Sequence, residues 1–423
     1  MIKKRTLAIA VAACAPLLAA GAARAEPDFN FSGFGTLGVA HSDNRGADYY
    51  GNLMQPNGPG ASMPVSAGVD TKLGLQGSVN FGHGFSAVVQ AVFDHRLDNT
   101  YSPKAEWANL KYQFNEDWYV RVGRVQAPTF MVSDYRNVGY AQTAVRMPFD
   151  VYALNPQNHS DGIDIGGKFK IADGVLNAQF TVGSVKEKIS GSKGLIESGD
   201  VKGREALVNF TYELGPHLLR AGYGRYKMDT VPSPPDMVLL YENLARTLGP
   251  SMGYPVPNIV VHDGRTIVWG LGYAYDPGNW LLQTEYVSRK GEGLLVKDID
   301  AWYVLAGYRI GKLTPYASYS EAKDKEPGAR APAVGAGPLA LPAFIINSAD
   351  TLVAGKGIDK TASVGVRWDF YKNMALKLQY EHIRKDGSPA SPNVGSVFTN
   401  WQTNWTTTPQ TVNLTSLVLD FVF

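Results

Sequence analysis

The chain has 423 residues, 18% of them charged and 44% hydrophobic, with a formal net charge of +2; neither a disordered polyelectrolyte nor a nucleic-acid-binding surface is indicated. Its 45 glycines, 22 tyrosines and 17 phenylalanines describe an all-β chain rich in turns and aromatics, too polar for a bundle of membrane helices. One cysteine, Cys14, rules out a disulfide framework, and no Cys/His cluster offers a zinc site, so neither metal nor cofactor is expected.

Residues 1–25 read as a cleaved secretory signal of the Sec type. Lys3, Lys4 and Arg5 form the positive start, Thr6 to Ala20 the apolar stretch, and Ala23-Arg24-Ala25 an A-x-A cleavage site. A lipobox-like Val11-Ala12-Ala13-Cys14 competes with it, but the apolar stretch before Cys14 is short and a complete cleavage site lies beyond. The remainder, 26–423, has no other apolar run near the ~20 residues that a spanning helix needs. An exported chain of this kind either stays soluble or crosses the outer membrane as a barrel.

Strand periodicity separates the two. In Lys72 to Phe81, Leu73, Leu75, Val79 and Phe81 alternate with Lys72, Gln76, Ser78 and Asn80. Thr361 to Phe370 and Thr411 to Phe423 alternate in the same way. Sixteen such segments are expected, at 29–41, 70–81, 84–96, 104–115, 117–125, 161–170, 174–187, 203–214, 216–229, 263–276, 278–290, 298–311, 313–325, 359–371, 373–386 and 411–423. Tight turns such as Gly82-His83-Gly84 and Pro277-Gly278 alternate with long connectors, 126–160 among them. The apolar parity carries Trp269, Trp280, Tyr286, Trp302, Tyr308, Trp368 and Tyr380, as interfacial aromatic girdles require and a dry sandwich core does not. The fold expected is therefore an all-β, sixteen-stranded antiparallel transmembrane barrel with short periplasmic turns and long outer loops.

The opposite parity should face water and set the channel. Lys72, Arg96, Lys111 and Arg121 fall on it in successive strands and are expected to form one basic patch, with Asp134 and Asp150 of the 126–160 connector as candidates for the facing side. Cations opposite carboxylates create a transverse field that orients polar solutes. Tyr303 and Tyr316 also fall on the inward parity, where a sugar-binding track could run. On the outward parity the first four strands are thin, with Gly33, Gly35, Gly77, Ala91 and Ala108. Small residues allow close protein contact, so a subunit interface is expected there.

With its signal peptide, sixteen strands, terminal phenylalanine and long third outer loop, the chain resembles the Gram-negative general porins over its whole mature length. The resemblance implies a homotrimer packed through the N-terminal strands and embedded in outer-membrane lipid and lipopolysaccharide. It implies a third loop, 126–160, that folds inward and narrows the pore. It also implies that Leu419, Phe421 and Phe423 are the terminal signal read by the barrel-assembly machinery.

Two motifs are set aside. Gly33-Phe34-Gly35-Thr36-Leu37-Gly38 matches G-x-G-x-x-G but lies within an alternating strand with no helix to follow. His159-Ser160-Asp161 has the letters of a catalytic triad, whose members must instead meet through tertiary folding. The expected function is a non-enzymatic outer-membrane pore for passive diffusion of small hydrophilic solutes and ions. The alternatives are a channel selective for anionic or sugar solutes and, less favoured, a barrel hydrolase.

Overall fold

The computed structural model describes residues 26–155, 157–192, 196–233, 261–292, 298–325, 358–386, 398–402 and 408–423, with Trp405 and scattered positions between 239 and 250. The signal segment 1–25 lies outside the described residues.

The long strands are, in chain order, β1 (Asp28–Ser42), β2 (Lys72–Gly82), β3 (Phe85–Asp94), β4 (Lys104–Gln113), β5 (Trp118–Gln126), β6 (His159–Ile171), β7 (Gly174–Ser192) and β8 (Ile196–Leu214). They continue as β9 (His217–Ser233), β10 (Val261–Tyr275), β11 (Trp280–Gly291), β12 (Ile299–Tyr308), β13 (Leu313–Asp324), β14 (Ile358–Tyr371), β15 (Met374–Lys385) and β16 (Gln410–Val422). Each is antiparallel to the next. β1 closes the sheet: its first half pairs with β2, from Asp28↔Asn80 to Thr36↔Lys72, and its second half with β16, from Phe34↔Val422 to Ser42↔Leu414. Closure pairs the edge that an open sheet would leave to aggregate, and satisfies in lipid the backbone groups that have no water there.

Alternation decides which face meets lipid. Leu37, Val89, Val122, Ile163, Phe180, Leu271, Val364 and Leu417 all stand exposed on the outside, as a membrane-facing surface requires. Aromatic pairs ring the barrel at two heights: Trp118–Phe169 and Trp280–Tyr308 near the short turns, Trp269–Tyr286 and Trp302–Tyr319 toward the long loops. The short turns are sharp because their residues reach the left-handed region; at Gly82-His83-Gly84 all three φ values are positive, 78°, 50° and 83°.

Two departures from the sequence expectation are local. β7 and β8 run to Ser192 and from Ile196, several residues past the expected ends. Their outer ends are polar on both faces, so no apolar period marks them. In β4 the pairing slips between Gln90↔Trp107 and Ala91↔Ala105, leaving Glu106 as a bulge. The bulge turns Glu106 inward, where it is buried.

The largest departure is an apolar stretch of the inward wall. Residues 127–158, between β5 and β6, lie against the inward wall and carry a short helix, α1 (Phe149–Tyr152). Phe130, Val132, Met147, Val151, Tyr152 and Leu154 of this segment form one buried cluster with Leu207, Tyr226, Val268, Val287, Tyr303, Leu305 and Tyr316 of β8–β13. The inward parity there is apolar and covered, not water-facing. A second cluster joins the β1–β2 connector to the β15–β16 connector, where Asp48–Tyr49 pairs with Phe398–Thr399 and Tyr50 packs edge-on against Phe149.

Candidate functional site: the lumen

Four wall cations, Arg220, Arg289, Arg367 and Lys377, hold the inner segment by its carbonyls. Arg220 donates to the Pro128 carbonyl at 2.7 Å, Arg289 to Leu154 at 2.9 Å, and Arg367 to Tyr140 and Gln142 at 2.7 and 2.9 Å. Lys377, fully buried, donates to Gly139 and Ala144 at 2.8 and 3.1 Å and pairs with Asp420 at 2.8 Å. Lys385 lies 5.3 Å from the Phe398 ring and pairs with Asp359. In return the segment sends out Arg146, which meets Asp70 at 2.6 Å, Ser416 at 2.8 Å and also Glu381. Burial alone would lower the affinity of Arg146 for its proton, but Asp70 and Glu381 raise it well above the ordinary value. Glu285 accepts from the Met131 amide and the Tyr152 hydroxyl, and Gln379 from the Val145 amide.

These contacts put the inner segment on the β8–β16 side. Facing β2–β4 there remain a cleft of about 450 Å³, lined by His95, Arg96, Lys104, Glu106 and Asn137, and a smaller one of about 80 Å³ lined by Lys72, Asp94 and Arg136. Arg136 sits over the Phe130 and Tyr152 rings and donates to the Asn155 and Tyr152 carbonyls. Burial pushes it down to about 10, still a cation at neutral pH.

The four basic residues expected to form one patch divide into two pairs. The register places Lys72 opposite Asp94 at one end of β3 and Lys111 opposite Ser86 at the other, eight residues or about 27 Å along the strand. Lys72 and Arg96 belong to the outer level, where Arg96 meets Asp94 at 3.4 Å. Lys111 and Arg121 belong to the inner level, both stacked on Tyr119, with centroid distances of 4.7 and 5.1 Å. Sequential strands are neighbours, but their directions alternate, so residues at opposite strand ends land at opposite heights. Lys168 of β6, exposed and two residues beyond the Gly166 that pairs with Tyr119, stands at the same end of the wall. The carboxylate of this group, Asp164, is fully buried and occupied by Arg121 at 2.6 Å, Gln179 at 2.7 Å and Thr181 at 2.9 Å.

The two loop acids also separate. Asp134 is exposed and within the field of Arg121 and Arg220. Asp150 in α1 is buried, accepts from Ser320 at 2.6 Å and faces β13 and β14 rather than the basic wall. Burial first, then Asp359, pushes its carboxyl up to about 6. Tyr303 and Tyr316 lie under the inner segment and are closed to a sugar. At the terminus, Leu419 pairs with Leu37, and the Phe421 and Phe423 rings lie over Gly35 and Gly33. Any Cβ at Gly35 would stand 2.3 Å from the Phe421 ring. Those two glycines are thus already covered within the chain, and Gly77 alone of the three outward glycines leaves open space.

Against solved structures the fold matches an anion-selective porin from Comamonas acidovorans, with TM-score 0.55, 14% identity, and coverage of 94% of this chain and 100% of that one. The outer-membrane channel DcaP of Acinetobacter baumannii gives 0.54, 11%, 96% and 100%, and the trimer form of OmpT from Vibrio cholerae 0.52, 11%, 94% and 99%. At such identities the likeness is one of fold. No curated protein matches the sequence. The model of phosphate-selective porins O and P does match, over residues 71–399. With a closed sixteen-stranded barrel and a family match over most of its length, the chain belongs to the phosphate-selective porin O and P family and is an outer-membrane porin.

Proposed function

We propose that the protein is a passive diffusion channel for small hydrophilic solutes with a preference for anions, inorganic phosphate included. One observation carries this reading: Lys111 and Arg121 stack on Tyr119, with Lys168 exposed on the neighbouring strand, while the carboxylate beside them, Asp164, is buried and already engaged. A passing ion there meets cationic side chains before any acid. The family's description supports the same preference. Residues 126–160 act as the constriction, with Lys72, Arg96 and Arg136 lining the outer level, Lys111 and Arg121 the inner, and Asp134 the acidic counterpart; Asp150 anchors the loop.

The channel works as a homotrimer through the N-terminal strands, a reading supported by the trimer form among the similar folds. Residues 1–25 direct export, and Leu419, Phe421 and Phe423 engage the barrel-assembly machinery. The test is a planar bilayer with a tenfold KCl gradient. The expected result is a reversal potential on the chloride side, reduced by Lys111→Gln with Lys168→Gln, and a chloride current that millimolar phosphate lowers. A reversal potential at zero, unmoved by the pair, returns the channel to the non-selective class.

A further inference from the structure

The outer level of the lumen holds a carboxylate for which a path for anions has no use. Glu106 reaches the inside only through the bulge in β4, and it is 4% exposed. Bulges re-aim a side chain and recur beside functional sites. A buried carboxylate is costly unless it is both hydrogen-bonded and paired with a cation, and Glu106 has only the first. Asn137 donates to its Oε1 at 3.4 Å, with Asn158 as a second amide partner. Among the described residues the closest basic nitrogen is Nδ1 of the buried His159, 3.9 Å away. Lys104, two residues along the same strand, is engaged by Glu187.

Two nearby cations lack the converse. Arg136 of the inner segment uses two of its donors on the Asn155 and Tyr152 carbonyls and meets no carboxylate among the described residues. It lies within the field of Glu106 without touching it. Lys72 has no ion pair among the described residues either; Asp94, opposite it in register, is taken by Arg96 at 3.4 Å. These three groups line two adjoining clefts. Glu106 belongs to the cleft of about 450 Å³ and Lys72 and Arg136 to that of about 80 Å³, while Asn52, Asp94, Asn137 and Asn158 form walls of both. A carboxylate short of a cation and two cations short of an anion thus meet at one opening, with amides between them.

A simple anion would complete one side of this arrangement, and a bare amine the other. We propose that the junction of the two clefts is a subsite for a small zwitterion of the amino-acid class, its ammonium on Glu106 and its carboxylate on Arg136 and Lys72. Charge-assisted hydrogen bonds at both ends are roughly twice as strong as neutral ones. Discrimination comes from the solute that fails to match: a carboxylate without an ammonium leaves Glu106 buried and uncompensated. The inference rests on the reading of the lumen as a diffusion channel. It adds a class of solute that is neutral overall and owes nothing to the cationic inner level.

The test is current block in the full mature protein, in planar bilayers at fixed ionic strength. γ-Aminobutyrate and β-alanine are compared with butyrate and propionate, which lack the ammonium, and with butylammonium, which lacks the carboxylate. The expected result is block by at least one of the two amino acids at a concentration about tenfold or more below that of its carboxylate or of butylammonium. Glu106→Gln should raise that half-blocking concentration about tenfold without weakening block by the carboxylate. Lys72→Gln should weaken both. The open-channel current before solute is added shows that each variant is folded. Parent channels that both amino acids block no better than the carboxylates overturn the subsite, and this comparison needs no variant. Equal block in Glu106→Gln overturns Glu106 as the seat of the ammonium. A reversal potential at zero in the salt gradient, with selective amino-acid block intact, refutes the anion preference instead and supports the subsite.

Discussion

Arg146 offers the sharpest test of how the inner segment is held. Its side chain is 10% exposed and faces Asp70 and Glu381, each 7% exposed. Its guanidinium also donates to Ser416 at 2.8 Å and lies 5.4 Å from the Tyr49 ring centre. Arg146→Met keeps most of the volume and removes the charge, leaving two buried carboxylates without a cation. Breaking a buried pair from one side costs about 3–5 kcal/mol, and here one cation serves two acids. The other tethers and the apolar cluster remain, so the segment stays inside while its Arg146 end loosens. The expected outcomes are a loss of about 3 kcal/mol in reversible urea unfolding into vesicles at pH 7 and more low-frequency noise in the open-channel current. The penalty belongs to the orphaned carboxylates rather than to lost volume. For the same reason, Asp70→Asn/Arg146→Met/Glu381→Gln should return to within about 1 kcal/mol of the parent. A single variant as stable as the parent at neutral pH, with a quiet current, would refute Arg146 as the clasp.

Two further predictions concern the anchors. The Asp150 carboxyl holds its proton to about 6 in the folded chain against an ordinary 3.8, so the native state binds more protons between those values and stability falls as pH rises through that window. The loss should approach about 3 kcal/mol, and Asp150→Asn, which can still accept from Ser320, should flatten it in unfolding measured from pH 4 to 7. At the terminus, Gly35→Ala sets a Cβ 2.3 Å from the Phe421 ring and should cost about 1–3 kcal/mol by overpacking. Adding Phe421→Leu should recover part of that cost, and a double variant no better than the single would place the strain elsewhere.

The barrel was legible because lipid imposes a strict rule: one face of every strand must be apolar, and period two records it. The rule says nothing about what covers the other face. Leu207, Val268 and Leu305 fall on the inward parity, where they are the wall against which Phe130, Val151 and Leu154 pack. Glu106 was hidden for another reason, since a bulge changes parity without leaving a mark in composition. The basic patch failed through geometry. Lys72 and Lys111 share a face and lie two strands apart, but antiparallel order sends one to each end of β3. The outer ends of β7 and β8 had no apolar face to announce them, because they stand above the lipid that creates the rule.

It follows that inward charges cannot be counted as one population. Arg220, Arg289, Arg367 and Lys377 donate to carbonyls of the inner segment, and their charge is spent on shape. Among the described residues, Lys111 and Lys168 make no such contact. The two groups should therefore separate experimentally. Arg367→Gln removes two bonds, to Tyr140 and Gln142, and frees a stretch of the segment that lies toward the open side. Single-channel conductance should rise while the reversal potential moves little. Lys111→Gln with Lys168→Gln should do the opposite, shifting the reversal potential toward the cation side at nearly unchanged conductance. If both variants moved both quantities together, tethering and selectivity would share one set of charges, and the division of the lumen into a clamped side and a conducting side would fail.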